Sequence, residues 1–243
     1  MNILSIQSHV AYGHVGNSAA VFSLQRLGVE VWPVHTVQFS NHPGYGASKG
    51  GVFGAGMIRD VVQGIEARGV FGDCDGVLSG YMGSVEIGEA ILDAVARVKR
   101  ANPAARYCCD PVIGDDDRGV YVGAGLPDFF KQRALPAADI ATPNQFELEF
   151  LTGRRGKALS DVLSTVDALH AIGPRIVLVT SLRTSETPAE AIDLLASDGV
   201  ARFLLRTPRL PINVNGAGDA IAALFFARLL QSGSIAEALS ASA

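Results

Sequence analysis

Short apolar runs alternate along most of the chain with longer segments that have helical periodicity. This alternation is typical of βαβ units, in which a helix connects each pair of parallel strands. Two further apolar runs, residues 191–196 and 200–205, flank the turn sequence Ser197-Asp198-Gly199 and predict an antiparallel hairpin. We therefore predict an α/β fold with a mostly parallel central sheet and an antiparallel hairpin near the C-terminal part.

The individual elements follow from the same patterns. The apolar runs predict strands over residues 2–6, 29–37, 76–79, 106–110, 139–141 and 176–180. The helical patterns predict helices over residues 18–27, 56–67, 84–99, 144–152 and 161–171. Ser234 can cap the start of the last helical stretch, and the purely structural alternatives for two earlier loops make Asn17 or Ser18, and Ser84, helix caps. Ligands bind such sheets beyond the carboxyl ends of the strands, so the loops after the strands are candidate sites.

Composition excludes several classes of protein. The chain has 243 residues without a linker-like segment, so we predict a single domain over residues 1–243. A net charge of −4 with scattered basic residues argues against a nucleic-acid partner, and no apolar run approaches the roughly 20 residues of a membrane span. Cys74, Cys108 and Cys109 lack metal-ligand spacing, which favours core positions in a reduced, cytoplasmic protein.

The segment Asn215-Gly216-Ala217-Gly218-Asp219 leads directly into an apolar helical stretch over residues 220–230. Glycines allow backbone N–H groups to converge, and a helix N-terminus attracts anions through its dipole. A carboxylate at Asp219 is well placed to take the proton of a hydroxyl that attacks a phosphate. The alternative is an ordinary turn followed by an acidic residue in the first turn of a helix.

Three other loops that follow strands carry polar or aromatic side chains among glycines. They are residues 7–18 with Ser8, residues 39–46 with His42, and residues 79–84 with Tyr81. Each suits a small polar or planar ligand, and Tyr81 can stack on a planar ring. The alternatives are a capping loop for the first, a turn supported by His42 for the second, and a tyrosine at the edge of the core for the third.

Acidic residues after the fourth and fifth strands suit a magnesium ion. Asp110 ends one strand and Glu147 follows the next, and Mg²⁺ binds few protein carboxylates while it bridges substrate phosphates. The three aspartates over residues 115–117 are more typical of a solvated loop. The sequence has no Walker A motif, strict G-x-G-x-x-G motif or zinc-binding pattern, so a dinucleotide-dependent enzyme is a weaker alternative.

Taken in order, six motifs resemble the ribokinase-like superfamily and, within it, the pyridoxal kinases. They are Ser8-His9-Val10-x-Tyr12-Gly13-x-Val15-Gly16-Asn17, Asn41-His42-x-Gly44-Tyr45-Gly46, Ser79-Gly80-Tyr81-Met82-Gly83, Cys109-Asp110-Pro111-Val112, Thr142-Pro143-Asn144-x-x-Glu147 and Gly216-Ala217-Gly218-Asp219. The resemblance implies a three-layer α/β/α sandwich. It also implies phosphorylation of the 5′-hydroxymethyl group of pyridoxal by ATP.

The resemblance implies a role for each matching residue. Asp219, with an ordinary pKa, would be the general base, and the backbone N–H groups of Gly216, Ala217 and Gly218 would form an anion hole. The substrate side would comprise Ser8, Val10, Val15, His42 and Tyr81 together with Asp219. The nucleotide side would comprise Asp110, Asn144, Glu147 and Thr180, with Asp110 and Glu147 toward Mg²⁺. Residues 114–122 resemble a flap that closes over ATP and substrate.

The resemblance further implies ATP as co-substrate, Mg²⁺ as cofactor and a homodimer, and it leaves a monovalent cation open. Related kinases continue for some tens of residues past the point that matches Ala243, so the last C-terminal helices of the domain are expected to be missing. Two alternatives remain at this point. One is a kinase of the same fold that acts on hydroxymethylpyrimidine or another small molecule, and the other is a non-catalytic vitamin B6-binding protein.

Overall fold

The computed structural model describes residues 1–212 and 214–243. Nine strands of the described residues form one sheet. They are β1 (Asn2–Tyr12), β2 (Glu30–Asn41), β3 (Gly50–Val52), β4 (Gly76–Ser79), β5 (Arg106–Cys109), β8 (Ile140–Ala141), β9 (Ile176–Leu182), β10 (Ala191–Ser197) and β11 (Arg202–Pro208), while β6 (Gly114–Asp115) and β7 (Gly119–Val120) form a separate hairpin. The spatial order is β11-β10-β9-β8-β5-β4-β1-β2-β3. In this spatial order, the six neighbouring strands β9, β8, β5, β4, β1 and β2 run parallel. At the two ends, β3 pairs antiparallel with β2, β10 with β9, and β11 with β10.

Helices cover both faces of the sheet. They are α1 (Asn17–Arg26), α2 (Ala55–Glu66), α3 (Val85–Ala101), α4 (Leu126–Phe129), α5 (Leu135–Ala137), α6 (Gln145–Thr152), α7 (Leu159–His170), α8 (Ala217–Ser232) and α9 (Ile235–Ser242). One core cluster joins α1, α8 and α9 to the sheet, and a second joins the remaining helices to its other face. The predicted three-layer α/β/α sandwich, mostly parallel sheet and C-terminal hairpin are confirmed.

The predicted ends of the first two strands are wrong. β1 continues through Ser8 and Val10 to Tyr12, and β2 continues to Asn41, because the two strands keep pairing beyond the rest of the sheet. β3 then pairs with this extension of β2. The polar residues predicted to form loops therefore lie on an extended two-stranded arm, with Ser8 at a shift in the strand register.

Several shorter elements were not predicted at all. These are β3, the β6–β7 hairpin and the helical segment that runs from α4 to α5 through a π-helical turn over residues 130–134. The predicted caps at Ser84 and Ser234 are confirmed, since each hydroxyl accepts a backbone N–H of the first turn. The predicted cap of α1 is wrong, because Gly16 occupies that position and the side chain of Asn17 is turned into the interior.

The three cysteines are buried free thiols, as predicted. Cys108 and Cys109 belong to opposite core clusters, because successive side chains of a strand face opposite sides of the sheet. Among the residues that the structure describes, no helix combines the length and apolar character needed to span a bilayer.

Candidate active site

Helix α8 begins with an open set of backbone donors. Gly216 precedes its first turn in the left-handed region, at φ 89°, and a Cβ there would overlap the carbonyl oxygen of His14. Glycine is therefore required both by the backbone angle and by the close approach of the two loops. Ala217, Gly218 and Asp219 follow in the first turn, where N–H groups have no partner within the helix. This arrangement is suited to binding an anion.

Asp219 lies half-buried in that first turn. Burial raises the pKa of its carboxyl group to about 6, while the backbone N–H groups of Gly16 and of Asp219 itself favour the charged form. The expectation of an ordinary pKa is therefore wrong. The carboxylate is still mostly charged at neutral pH, and a base whose pKa lies near the working pH is efficient at proton transfer.

Gly16 connects this acid to Ser8 within β1. Its backbone angles, φ 54° and ψ −132°, are accessible essentially to glycine alone. A Cβ at Gly16 would overlap both the carbonyl oxygen and the hydroxyl of Ser8, which is itself buried. The structure therefore brings the predicted substrate residue Ser8 and the predicted base Asp219 to the two sides of one glycine.

Val10 lies two residues after Ser8 on β1, Val15 lies next to Gly216, and Tyr81 follows β4, which pairs with β1. Val10 and Val15 are buried, and Tyr81 is half-buried with its carbonyl accepting the hydroxyl of Thr36 at 2.7 Å. Burial raises the pKa of the Tyr81 phenol.

The ring of His42 caps a short 3₁₀ turn, because its Nδ1 accepts the N–H of Gly44 at 3.0 Å. Burial, followed by the charge of Arg118, lowers the pKa of His42. A Cβ at Gly44 would lie 3.3 Å from the side-chain Nδ2 of Asn215, so this turn lies next to the loop before α8. The turn-supporting alternative for His42 is thus observed, and its contact with substrate stays a prediction.

Asp110 is close enough to Glu147 and Asp219 for their charges to act on it. Asp110 is buried at the end of β5, where it accepts the hydroxyl of Thr142 at 2.9 Å. Burial, and then the charges of Glu147 and Asp219, raise the pKa of Asp110 well above its usual range. Burial raises the pKa of Glu147 to about 7. Burial therefore disfavours the charged forms of both carboxyl groups.

The two predicted metal ligands differ in how far they are engaged. Glu147 accepts the N–H groups of Ile113 at 2.8 Å and Asn144 at 2.9 Å through its two oxygens. Among the described residues, Oδ2 of Asp110 has no hydrogen bond from protein. Although no group of three or more potential ligands occurs in the described part of the chain, Mg²⁺ needs only one or two carboxylates with water and phosphate. The pair fits such an ion, with Asp110 as the more available ligand.

The predicted nucleotide residues lie at the base of the β6–β7 hairpin. Asn144 caps α6 in a capping box with Glu147, and its amide donates to the carbonyl of Gly114 at 2.8 Å. Thr180 pairs with Asn144 through an isolated β-bridge. Within the hairpin segment, Arg118 binds Asp115 and lies 4.9 Å above the ring of Tyr121. The predicted flap is therefore a hairpin anchored at its base by Asn144 and Glu147.

Two features were missed by the interpretation of the sequence, one in the site and the other in the segment just before the anion loop. One is Gly16, which lies in contact with Ser8 and links it to Asp219. The sequence feature that could have indicated this role is a glycine at the end of a loop from a strand to a helix. The other is an open cavity of about 500 Å³ lined by Ala189, Arg209, Leu210, Pro211 and Ile212. The sequence feature that could have indicated this cavity is the run of apolar residues between a strand and the glycines of the anion loop.

Comparisons with known proteins agree with this geometry. A model of the family described as phosphomethylpyrimidine kinase matches residues 55–243. Pyridoxal kinase PdxY of Granulibacter bethesdensis is 58% identical over 243 residues, which cover 98% of this chain and 85% of the relative. Pyridoxal kinase PdxY of Rubrobacter xylanophilus is 56% identical over 244 residues, which cover 100% of this chain and 84% of the relative.

Solved structures lead to the same family. The structure of pyridoxal kinase from Leishmania donovani in complex with ADP and pyridoxamine superposes with a TM-score of 0.90 at 32% identity. The superposition covers 98% of this chain and 85% of that chain. The sequence motifs, the sandwich, the loop before α8 and these relatives all agree. The chain therefore belongs to the pyridoxal kinase family of the ribokinase-like superfamily.

Proposed function

We propose that this chain transfers the γ-phosphoryl group of ATP to the 5′-hydroxymethyl group of pyridoxal, which gives pyridoxal 5′-phosphate and ADP. As the hydroxyl oxygen attacks the γ-phosphorus, its proton passes to Asp219 and the bond from that phosphorus to the bridging oxygen of ADP breaks. The observation that carries the proposal is the position of Asp219. On one side Gly16 links it to Ser8, and on the other side lie the free N–H groups at the start of α8.

The backbone supplies the charge stabilisation in this mechanism. The N–H groups of Gly216, Ala217 and Gly218 would donate hydrogen bonds to the equatorial oxygens of the transferred group, and they need no reorganisation to do so. Ser8, Val10, Val15, His42 and Tyr81 would hold the pyridine ring, so that the hydroxymethyl group faces Asp219. Holding the two reactants in line contributes much of the acceleration in phosphoryl transfer.

The nucleotide would lie along the other side of Asp219. Asp110 and Glu147 would hold Mg²⁺, which neutralises phosphate charge when it is bound. Asn144 and Thr180 would border the phosphates. The cavity of about 500 Å³ that precedes the anion loop suits the adenine base.

A requirement for a monovalent cation is tested by exchanging potassium for tetramethylammonium in the assay.

The assembly and location of the chain are also proposals. Tyr12, Phe22 and Tyr45 expose 73%, 68% and 49% of their surfaces next to the site, which supports a homodimer that covers them. Three buried thiols, none of them in a disulfide, support a cytoplasmic location.

A second candidate is phosphorylation of hydroxymethylpyrimidine, because the matching family model carries the description phosphomethylpyrimidine kinase. Both substrates present a hydroxymethyl group on a planar ring, so the same base and anion hole serve either. A non-catalytic vitamin-binding protein is disfavoured, since such a protein has no use for a carboxylate at Asp219.

The test is formation of phosphorylated product with ATP and Mg²⁺, measured in parallel for pyridoxal, pyridoxine, pyridoxamine and hydroxymethylpyrimidine. The proposal predicts the highest kcat/KM for pyridoxal. A higher kcat/KM for hydroxymethylpyrimidine would favour the second candidate. Binding of pyridoxal without turnover of any of the four compounds would contradict both kinase assignments.

A further inference from the structure

Asn17 is a buried amide whose side chain bonds to two strands at once. Its Oδ1 accepts the hydroxyl of Ser5 in β1 at 2.7 Å, and its Nδ2 donates to the carbonyl of Val34 in β2 at 3.0 Å. The same Nδ2 lies 3.0 Å from Nδ1 of His35, which accepts in the neutral ring. Only 2% of Asn17 is exposed. These bonds fix the first residue of α1 against the sheet.

Neighbouring side chains extend this attachment. Gln7 donates to the hydroxyl of Ser5 at 2.9 Å, so that Ser5 is held from both sides. Ser18 donates to the carbonyl of Val10 at 2.8 Å and accepts its N–H at 3.3 Å. The start of α1 is therefore bound to β1 both before and after the register shift at Ser8.

The loop that precedes Asn17 contacts both halves of the candidate active site. Gly16 packs against the backbone and hydroxyl of Ser8 so closely that no side chain fits between them. On its other side, the start of α8 rests on this loop, since Gly216 lies against the carbonyl of His14 and the Cα of Val15. A displacement of residues 14–16 would therefore move the anion loop and Asp219 relative to Ser8.

We propose that Asn17 is a positioning residue: by fixing residues 14–16 against β1 and β2, it sets the placement of Asp219 relative to the substrate pocket. This inference rests on the proposed role of Asp219 as the general base. Asn17 does not touch the reacting atoms, and its effect passes through Gly16. A side chain used only for folding would alter stability without altering the chemical step.

The experiment compares Asn17→Ala with Leu24→Ala. Leu24 is fully buried in the same helix and packs in the core formed by α1, α8 and α9, away from the polar network. Both variants are expected to lower the melting temperature. Because a misplacement of about 1 Å can cost about 100-fold in rate, we expect Asn17→Ala to lower kcat about 10- to 100-fold. KM for ATP should stay within about threefold, and Leu24→Ala should retain kcat.

One further variant, Ser5→Ala, keeps the test decisive if Asn17→Ala does not fold. Ser5→Ala removes the hydroxyl that donates to Asn17 and accepts from Gln7 but leaves the Asn17 side chain in place, and it should lower kcat by a smaller factor. The inference is overturned if kcat of Asn17→Ala, or of Ser5→Ala where the first is unfolded, stays within twofold of the wild-type value. An equal loss of kcat in Leu24→Ala would overturn it as well.

Combining Asn17→Ala with Asp219→Asn separates this inference from the proposed function. If Asn17 acts through Asp219, the double variant should be no slower than Asp219→Asn alone, because coupled residues give non-additive losses. A fully additive loss would contradict the positioning role while leaving Asp219 as the base. Undiminished turnover in Asp219→Asn alone would instead contradict the base assignment itself.

Discussion

Replacing Gly16 with alanine is a direct test of how the site is assembled. The backbone of Gly16, at φ 54° and ψ −132°, is strained for any residue with a Cβ, which costs about 1–3 kcal/mol. The new Cβ would also overlap the backbone and hydroxyl of Ser8, and such overpacking costs a further ~1–3 kcal/mol. Together the two effects should lower the free energy of unfolding by about 2–6 kcal/mol, out of a typical total of about 5–15 kcal/mol.

The assay is urea unfolding of the wild-type chain, Gly16→Ala and a matched control, Gly64→Ala. Gly64 is exposed within α2, and apart from its chain neighbours and the backbone of its own helix no atom lies within 4 Å of the position that its Cβ would take. Alanine there should stabilise the helix by about 0.5–1 kcal/mol. A Gly16→Ala variant whose free energy of unfolding stays within about 0.5 kcal/mol of the wild-type value would refute the reasoning, because neither strain nor overlap would then be present.

Four further predictions concern the acidic groups. Since Asp219 must be charged to accept a proton, kcat/KM should fall as pH decreases through about 6; an unchanged kcat/KM down to pH 5 would contradict this. Folding raises the pKa of Asp219, so its contribution to the free energy of unfolding should be greatest below the ordinary pKa of 3.8 and lost as pH rises through about 6. Asp219→Asn should therefore raise the free energy of unfolding at pH 8. Glu147→Gln should lower the free energy of unfolding by about 1–3 kcal/mol and speed proteolysis of residues 114–122, since an amide nitrogen would face a backbone N–H at Ile113 or Asn144. Asp110→Asn should raise the Mg²⁺ concentration for half-maximal activity by about tenfold or more, and an unchanged Mg²⁺ titration would exclude Asp110 as a ligand.

Local patterns predicted the layers of the fold and the loop before α8. Strands and helices followed from hydrophobic periodicity, and the glycines of residues 216–218 with the adjacent acid are a local signal of a helix N-terminus suited to anions. The arm formed by β1 and β2 was mispredicted because Gln7, Ser8 and His9 have the composition of a loop. Only pairing with β2 makes them a strand.

The parts of the site that could not be predicted depend on contacts between distant residues. Asn17 has the residue type of a helix cap, but its amide binds Ser5 and Val34 instead, which is decided by the packing of α1 on the sheet. Glu147 was predicted as a metal ligand from its type and position. Its bonds to Ile113 and Gly114 come from a hairpin more than thirty residues earlier in the chain. The raised pKa of Asp219 depends on burial, which local sequence does not specify.

The central claim is that Asp219 takes the proton of the attacking hydroxyl, and the variant Asp219→Asn tests it most directly. Asparagine keeps the size of the side chain but cannot act as the base, so kcat for pyridoxal should fall by about 100-fold or more. The dissociation constants of pyridoxal and of a non-hydrolysable ATP analogue, measured by calorimetry on the same preparation, should stay within about threefold of the wild-type values. Turnover within tenfold of the wild-type rate, with both ligands bound normally, would contradict the account.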